Sequence, residues 1–231
     1  MSAIVDEGTR SRELLDAQAR AAELFTAVTT SGIVRADVTD KEASRAITDL
    51  AAERFGVRKH WHKRIVRSGP NTLLPYQENP PDRTIGDDDI VFADFGPIFD
   101  GWEADFGRTW VLGDDPVKHR LCADLQTVFD AGKRFFAEHP DLTGEQLYGH
   151  VVGLAEQAGW TYGNWHCGHL VGEFPHENFD GEQIGSVIAT GSTLPMRRLD
   201  PSGRVGHWIL EIRLTDPDRQ IGGFFEELLT L

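Results

Sequence analysis

Three acidic residues stand inside segments that otherwise read as buried β-strands. Asp94 sits in IVFADFG, Glu211 in WILEIRL and Glu226 in GGFFEELL. A buried carboxylate is costly unless it is paired or bound to a metal. A salt bridge or an edge position accounts for any one of them alone. Several together, accompanied by histidines, point to a site built around cations. The fold must therefore bring late strands back beside an early one.

The order of elements supplies a way to do so. Residues 9–31 read as an amphipathic helix, with Leu14, Ala17, Ala21, Leu24, Phe25 and Val28 at helical spacing. A second helix opens at the capping box Thr39-x-x-Glu42 and stops at Gly56. The period then changes to that of strands in KRIVRSG and DDIVFADFG, separated by a Pro- and Asn-rich loop over 69–83. A hairpin follows, turning near Asp100-Gly101 and returning as EADFGRTWVLG. Pro116 begins a second helix pair. Its first member runs to about His139, with Leu121, Leu125, Val128, Phe129, Phe135 and Phe136 as its stripe. Its second starts at Thr143-x-x-Gln146 and ends near Gly159. Strand signals return in HWILEIRL and GGFFEELLTL after a Gly- and Pro-containing stretch over 172–206. Two helices followed by strands, twice over, predict two similar α+β halves closing on each other. No linker separates them, so residues 1–231 are expected to form a single domain.

Bulk properties exclude some partners. The chain has 231 residues, enough for a large core, and a formal net charge of −14. A surface that acidic repels phosphate backbones and argues against nucleic acid. The two cysteines, Cys122 and Cys167, do not make a disulfide framework and fit a reducing compartment. The N-terminal MSAIVDEGTRSRELL lacks the apolar core of a signal peptide, and no run of 18 apolar residues occurs. The expectation is a cytoplasmic chain with no membrane partner.

Asp94 and Asp105 flank the hairpin. A turn centred on Phe99-Asp100 places them directly opposite, with Cβ atoms about 4.5–5.5 Å apart. Carboxylates that close repel unless a cation lies between them. Two-metal hydrolases need bridging carboxylates for ions about 3.5–4 Å apart. A turn on Asp100-Gly101 shifts this register. Both aspartates lie in DFG triplets, yet the Gly-rich loop, VAIK lysine and HRD segment of a kinase are missing, as are a Walker A sequence and HExxH. His166, His169 and His176 fall within eleven residues of WHCGHLVGEFPHE. His166 and His169 with Cys167 suggest zinc only weakly, because a second Cys/His pair is missing.

Taken in order, these segments resemble the pita-bread metallopeptidases, the family of methionine aminopeptidase, aminopeptidase P, prolidase and the non-peptidase creatinase. The resemblance runs from about residue 60 to the C-terminus. Asp94 and Asp105 match the family's two aspartate ligands, eleven residues apart; GHLVG matches its GHxxG histidine at His169; His176-Glu177, seven residues on, matches its catalytic histidine. Glu211 and Glu226 match the two late glutamates, with Glu227 as the adjacent alternative, since strand alternation turns only one of them inward.

The resemblance thus implies an α+β pita-bread fold, a pseudo-twofold pair of α/β halves on a curved antiparallel sheet. It also implies two divalent metal ions (Mn²⁺, Co²⁺, Fe²⁺ or Zn²⁺) on Asp94, Asp105, His169, Glu211 and Glu226. A water bridging such ions would be the nucleophile, and His176 would stabilise the oxyanion or polarise the scissile carbonyl.

The substrate side departs from the family. Pro75 is followed by Tyr76 where the peptidases place a histidine, and Trp165 replaces the first histidine of HGxGH. A phenol donates a hydrogen bond but is a poor base. Tyr76 is thus expected either to act at the substrate or to pack at the rim, with His60 or His62 of KHWHKR as alternative sources of an imidazole. Weak activity on methionine-initiated peptides follows. The resemblance implies a hydrolase of the aminopeptidase or Xaa-Pro dipeptidase class acting on a small peptide. It leaves open an enzyme for a non-peptide small molecule, a non-catalytic binding protein, and a homodimer.

Overall fold

The computed structural model describes residues 6–175, 184–200 and 202–231. Helix α1 (Glu7–Ser31) starts where the Asp6 carboxylate accepts the Thr9 N–H at 3.1 Å. Helix α2 (Asp40–Phe55) starts at the expected box. Thr39 accepts from Glu42 N–H, and Glu42 accepts from Thr39 N–H at 2.8 Å. It ends at Gly56, whose φ of 71° lies where a side chain would be strained. Strand β1 (Ile65–Ser68) leads through a 3-10 turn (Gly69–Leu73) to β2 (Ile90–Phe95). The short β3 (Ile98–Phe99) and β4 (Trp102–Glu103) carry the hairpin to β5 (Phe106–Val111).

The second half repeats the plan. Helix α3 (Pro116–Glu138) has proline in its first turn, where no N–H is needed, and α4 (Gly144–Gln157) opens on the Thr143–Gln146 box. Then come β6 (Thr161–Tyr162), β7 (His166–Val171), β8 (Val187–Ala189), β9 (His207–Asp216) and β10 (Ile221–Leu228). The sequence pattern gave no sign of β8 within its Gly- and Pro-containing stretch, and read the β7 segment only as a histidine cluster.

Every pairing is antiparallel, in the order β1-β2-β5-β10-β9-β7-β8, with β6 on β9. The halves meet at a seam between β5 and β10, where Glu226 pairs with Gly107. Alternation sorts each strand. Val91, Ala93 and Phe95 of β2 join the core under α1 and α2. Leu210, Ile212 and Leu214 of β9 and Phe225 of β10 join the core under α3 and α4. The residues between them, among them Phe92, Asp94, Glu211, Phe224 and Glu226, line a pocket on the face turned away from the helices. Apolar burial on one face thus fixes what the other face presents. Truncating a fully buried Leu24 or Leu210 would cost about 2–5 kcal/mol and loosen that platform.

Candidate active site

The strand ladder aligns the acidic residues. Asp94 on β2 pairs with Gly107 on β5, Gly107 with Glu226 on β10, and Glu226 with Glu211 on β9. Directly paired residues share a face, so three carboxylates stand in one row across four strands. The hairpin turns on Asp100-Gly101, with Ile98 paired to Glu103 and Phe99 to Trp102. Asp105 is therefore not opposite Asp94, as a turn on Phe99-Asp100 would require. It lies two residues before Gly107, on the same face, and reaches the row from the side. The choice between Glu226 and Glu227 is geometric: Glu226 is buried in the row, whereas Glu227 pairs with Arg108.

His169 comes from β7, whose register slips between His166 and His169. Three residues apart, the two side chains would normally face opposite ways. The bulge turns both toward Glu211, His166 Nδ1 at 3.6 Å and His169 Nε2 at 3.5 Å from Oε1. Gly168 makes this possible. Its φ is 147°, and a Cβ there would lie 2.0 Å from the Ile209 carbonyl oxygen. Cys167 points away into the core, where burial raises its thiol well above the usual range, so it takes no part in a zinc motif.

Asp94, Asp105, Glu211 and Glu226 are 8, 2, 6 and 2 % exposed. Glu226 Oε2 has no hydrogen-bond partner among the described residues. Burial pushes Asp94 and Glu211 up to about 7, against the pull of His62 and His169 respectively, and drives Glu226 well above its ordinary value. Asp105 moves the other way despite burial, because His62 and His169 hold its carboxyl well below the usual range. The two imidazoles are carried up to about 9, the aspartates outweighing their burial. Without a cation, the cluster draws in protons. Ligand-capable atoms converge within 4.8 Å of one another in two groups, His62–Asp94–Asp105 and Asp105–His169–Glu226, with Asp105 common to both. The orphaned buried carboxylate oxygen and this donor set fit divalent cations.

The profile of metallopeptidase family M24 matches residues 12–200. The chain belongs to this family. Among relatives of this M24 chain is an Xaa-Pro dipeptidase of Lactobacillus helveticus, 26% identical over 150 residues, which are 62% of this chain and 39% of the dipeptidase. Among solved structures, the X-Pro aminopeptidase of Thermotoga maritima superposes with a TM-score of 0.74 at 19% identity, covering 99% of this chain and 62% of that one. The zinc-substituted aminopeptidase P of E. coli in complex with product gives 0.68 at 19% identity, covering 93% and 52%. These likenesses establish the pita-bread fold expected from the sequence. The M24 chain spans less than two thirds of the length of each of these relatives.

The remaining expected residues divide. Tyr76 is at the rim, 40 % exposed, and its hydroxyl accepts the Lys63 N–H at 3.3 Å. Burial of part of the ring pushes the phenol up, so it stays protonated near neutral pH. His176 lies outside the described residues. His60 does not reach the site. It packs edge-on to Phe95, and burial lowers it to about 4. His62 does, with Nε2 2.9 Å from Asp105 Oδ1 and 3.5 Å from Asp94 Oδ1. Two arginines gave no signal in the sequence beyond their place in apolar strands. Arg67 on β1 and Arg213 on β9 are both buried and line the pocket. Both donate to the Leu74 carbonyl, and Arg67 also donates to Glu78 O at 2.9 Å. The pocket, about 670 Å³, includes the exposed Tyr76, Gln77 and Trp165 in its lining. Among the described residues, no helix is long and apolar enough to cross a membrane.

Proposed function

We propose that this chain is a divalent-metal-dependent hydrolase of the aminopeptidase or dipeptidase class, acting on short peptides beside proline. The observation that carries this reading is the buried row Asp94–Glu226–Glu211, completed by Asp105 and His169, with an unpartnered carboxylate oxygen inside it. These five residues would hold two ions drawn from Mn²⁺, Co²⁺, Fe²⁺ or Zn²⁺, with Asp105 shared. Once bound, such ions supply an acidified water and polarise a peptide carbonyl. Asp105 presents one oxygen to each half of the site. The apolar wall of Ile65, Phe92 and Phe224 accepts a side chain and excludes water. The Tyr76 hydroxyl offers a proton at the rim, and His176 is assigned to oxyanion stabilisation by its place in the motif.

The guanidiniums of Arg67 and Arg213 favour a substrate that brings its own negative charge, such as a dipeptide with a free carboxylate. Xaa-Pro dipeptides, their C-terminal amides and methionine-initiated peptides should be assayed with protein of known metal content. Release of the N-terminal residue is expected from the free-acid dipeptides and should fall sharply on amidation. A fully loaded protein inactive on every peptide would refute the peptidase reading. The second reading, a non-peptide small-molecule substrate, draws support from the absence of an imidazole at position 76. It predicts turnover of small anionic amides instead.

A further inference from the structure

The site contains an imidazole that the two aspartates, one histidine and two glutamates of the ligand set leave unused. His62 lies on the connector between α2 and β1, and its side chain is 9 % exposed. We infer that His62 is a metal ligand, so that each of the two ions is held by one imidazole. The inference rests on the two-ion reading above and adds a residue to it.

The geometry around Asp105 is the ground. His62 Nε2 is 2.9 Å from Asp105 Oδ1 and 3.5 Å from Asp94 Oδ1. His169 Nε2 is 3.0 Å from Asp105 Oδ2 and 3.5 Å from Glu211 Oε1. The two histidines thus grip opposite oxygens of one carboxylate, each with a second carboxylate at the same distance. Ligand bonds of about 2.0–2.2 Å give neighbouring donor atoms separations of about 2.8–3.6 Å at octahedral to tetrahedral angles. Both sets fall at or near that range.

The other ring nitrogens agree. His62 Nδ1 lies 2.7 Å from the Lys63 carbonyl oxygen, and His169 Nδ1 lies 2.8 Å from the Leu170 carbonyl oxygen. A carbonyl only accepts, so each Nδ1 carries the proton and each Nε2 is left with its lone pair when the ring is neutral. That is the tautomer a ligand needs, fixed by a partner outside the coordination sphere.

The backbone holds His62 there. Trp61 N–H donates to Gly96 O at 2.9 Å, Ile98 N–H to Lys59 O at 3.1 Å, and Trp61 Nε1–H to Ala104 O at 3.0 Å. The connector is thereby fastened to both arms of the aspartate hairpin. Extending the hairpin register places Gly96 opposite Asp105. A Cβ on Gly96 would lie 2.3 Å from His62 Cδ2 and 2.5 Å from Nε2. The missing side chain is the space the imidazole fills. A second imidazole also moves the donor set away from all-oxygen coordination, toward ions such as Zn²⁺, Fe²⁺ or Co²⁺ and away from Mn²⁺.

Cobalt(II) titration by calorimetry, with X-ray absorption to count imidazoles per ion, tests this on wild type, His62→Ala, His62→Gln and the control His60→Ala. Wild type and the control should bind two ions with about one imidazole each. His62→Ala should weaken one ion at least about tenfold, the lower end of the loss for even an outer partner, and halve the imidazole count. His62→Gln keeps an N–H for Asp105 but not an imidazole and should behave like His62→Ala. Wild-type affinity for both ions in His62→Gln would show that His62 only positions Asp105, and would overturn the inference. So would an unchanged imidazole count in His62→Ala, which would leave the two-ion reading standing. A wild-type protein that binds no ion would sink both.

Discussion

The floor and the wall of the pocket are built by different means. The floor is the row Asp94, Glu226 and Glu211 with Asp105 and His169. Strand register positions it, and the opposite face of every contributing strand is anchored in a helix-covered core. The wall carries Arg67, Arg213, Tyr76 and Trp165. Strands β1 and β9 carry the two arginines, but their guanidiniums are aimed by bonds to the carbonyls of Leu74, Thr72 and Glu78, and Tyr76 and Trp165 stand on connecting segments. Moving a floor residue means slipping a strand, which would turn its whole apolar set out of the core. Redirecting a wall side chain means breaking one or two hydrogen bonds, each worth about 0.5–1.5 kcal/mol. Floors of this kind tolerate little change, while walls are where one fold acquires different substrates.

The largest expected effect lies in the floor. Asp105→Ala removes the carboxylate common to both groups of ligand atoms. It should weaken metal binding beyond the roughly 10–100-fold that loss of an outer partner costs. Metal content after dialysis checks this, and an Asp105→Ala protein that retains both ions would erase the distinction between floor and wall.

Chelation comes next. If ions bind only the folded chain, free metal at a hundredfold over the dissociation constant stabilises it by about 2.7 kcal/mol. For a chain of this size that amounts to about 5–11 °C in Tm. Differential scanning calorimetry before and after EDTA, with metal loss verified, should show the drop. An unchanged Tm would count against a metal-organised floor.

The pH dependence of metal affinity is a smaller effect with a definite sign. His169 is raised to about 9 and Glu211 to about 7 in the metal-free chain, so binding must displace their protons. Affinity should rise with pH, by about tenfold per unit for each proton released, and flatten above pH 9. The same shifts mean that the metal-free fold is favoured by bound protons. That contribution is complete below the unfolded values and is lost as pH rises through about 7 to 9. A pH-independent affinity would mean that the floor is not protonated when empty.

The smallest effect belongs to the wall. Tyr76→Phe removes one hydroxyl, whose hydrogen bond is to Lys63 N–H. Stability should change by no more than about 1 kcal/mol, and metal content should not change. The useful reading is kinetic. A fall in kcat with unchanged KM would give the hydroxyl a part in turnover. No change in either would leave Tyr76 as rim packing.

Much of the floor was legible in the chain itself. Asp94, Glu211 and Glu226 advertised themselves because a charge in an apolar strand needs a reason, and strand alternation allowed only one of Glu226 and Glu227 to face inward. The capping boxes at Thr39 and Thr143 and the apolar stripes of α1 and α3 are local signals, and local physics wrote them. The arrangement of Asp105 was not legible. A one-residue choice of turn decided whether it stands opposite Asp94 or beside Gly107, and turn chemistry at Asp100-Gly101 competes with register in a way that hairpin sequence alone does not resolve.

Only the tertiary structure decided between His60 and His62. They sit two residues apart on a connector without periodicity. One packs on Phe95 and the other fills the gap above Gly96, because fastening to the aspartate hairpin sets which way each points. Only tertiary structure revealed the bulge at Gly168 that turns His166 and His169 the same way, and the two arginines that meet at the Leu74 carbonyl from strands 146 positions apart, at 67 and 213. The sequence by itself determined which strands carry charge, and therefore that a carboxylate-rich face exists. The neighbours of that charge depend on contacts between distant segments, and such contacts leave no period, cap or motif in the chain.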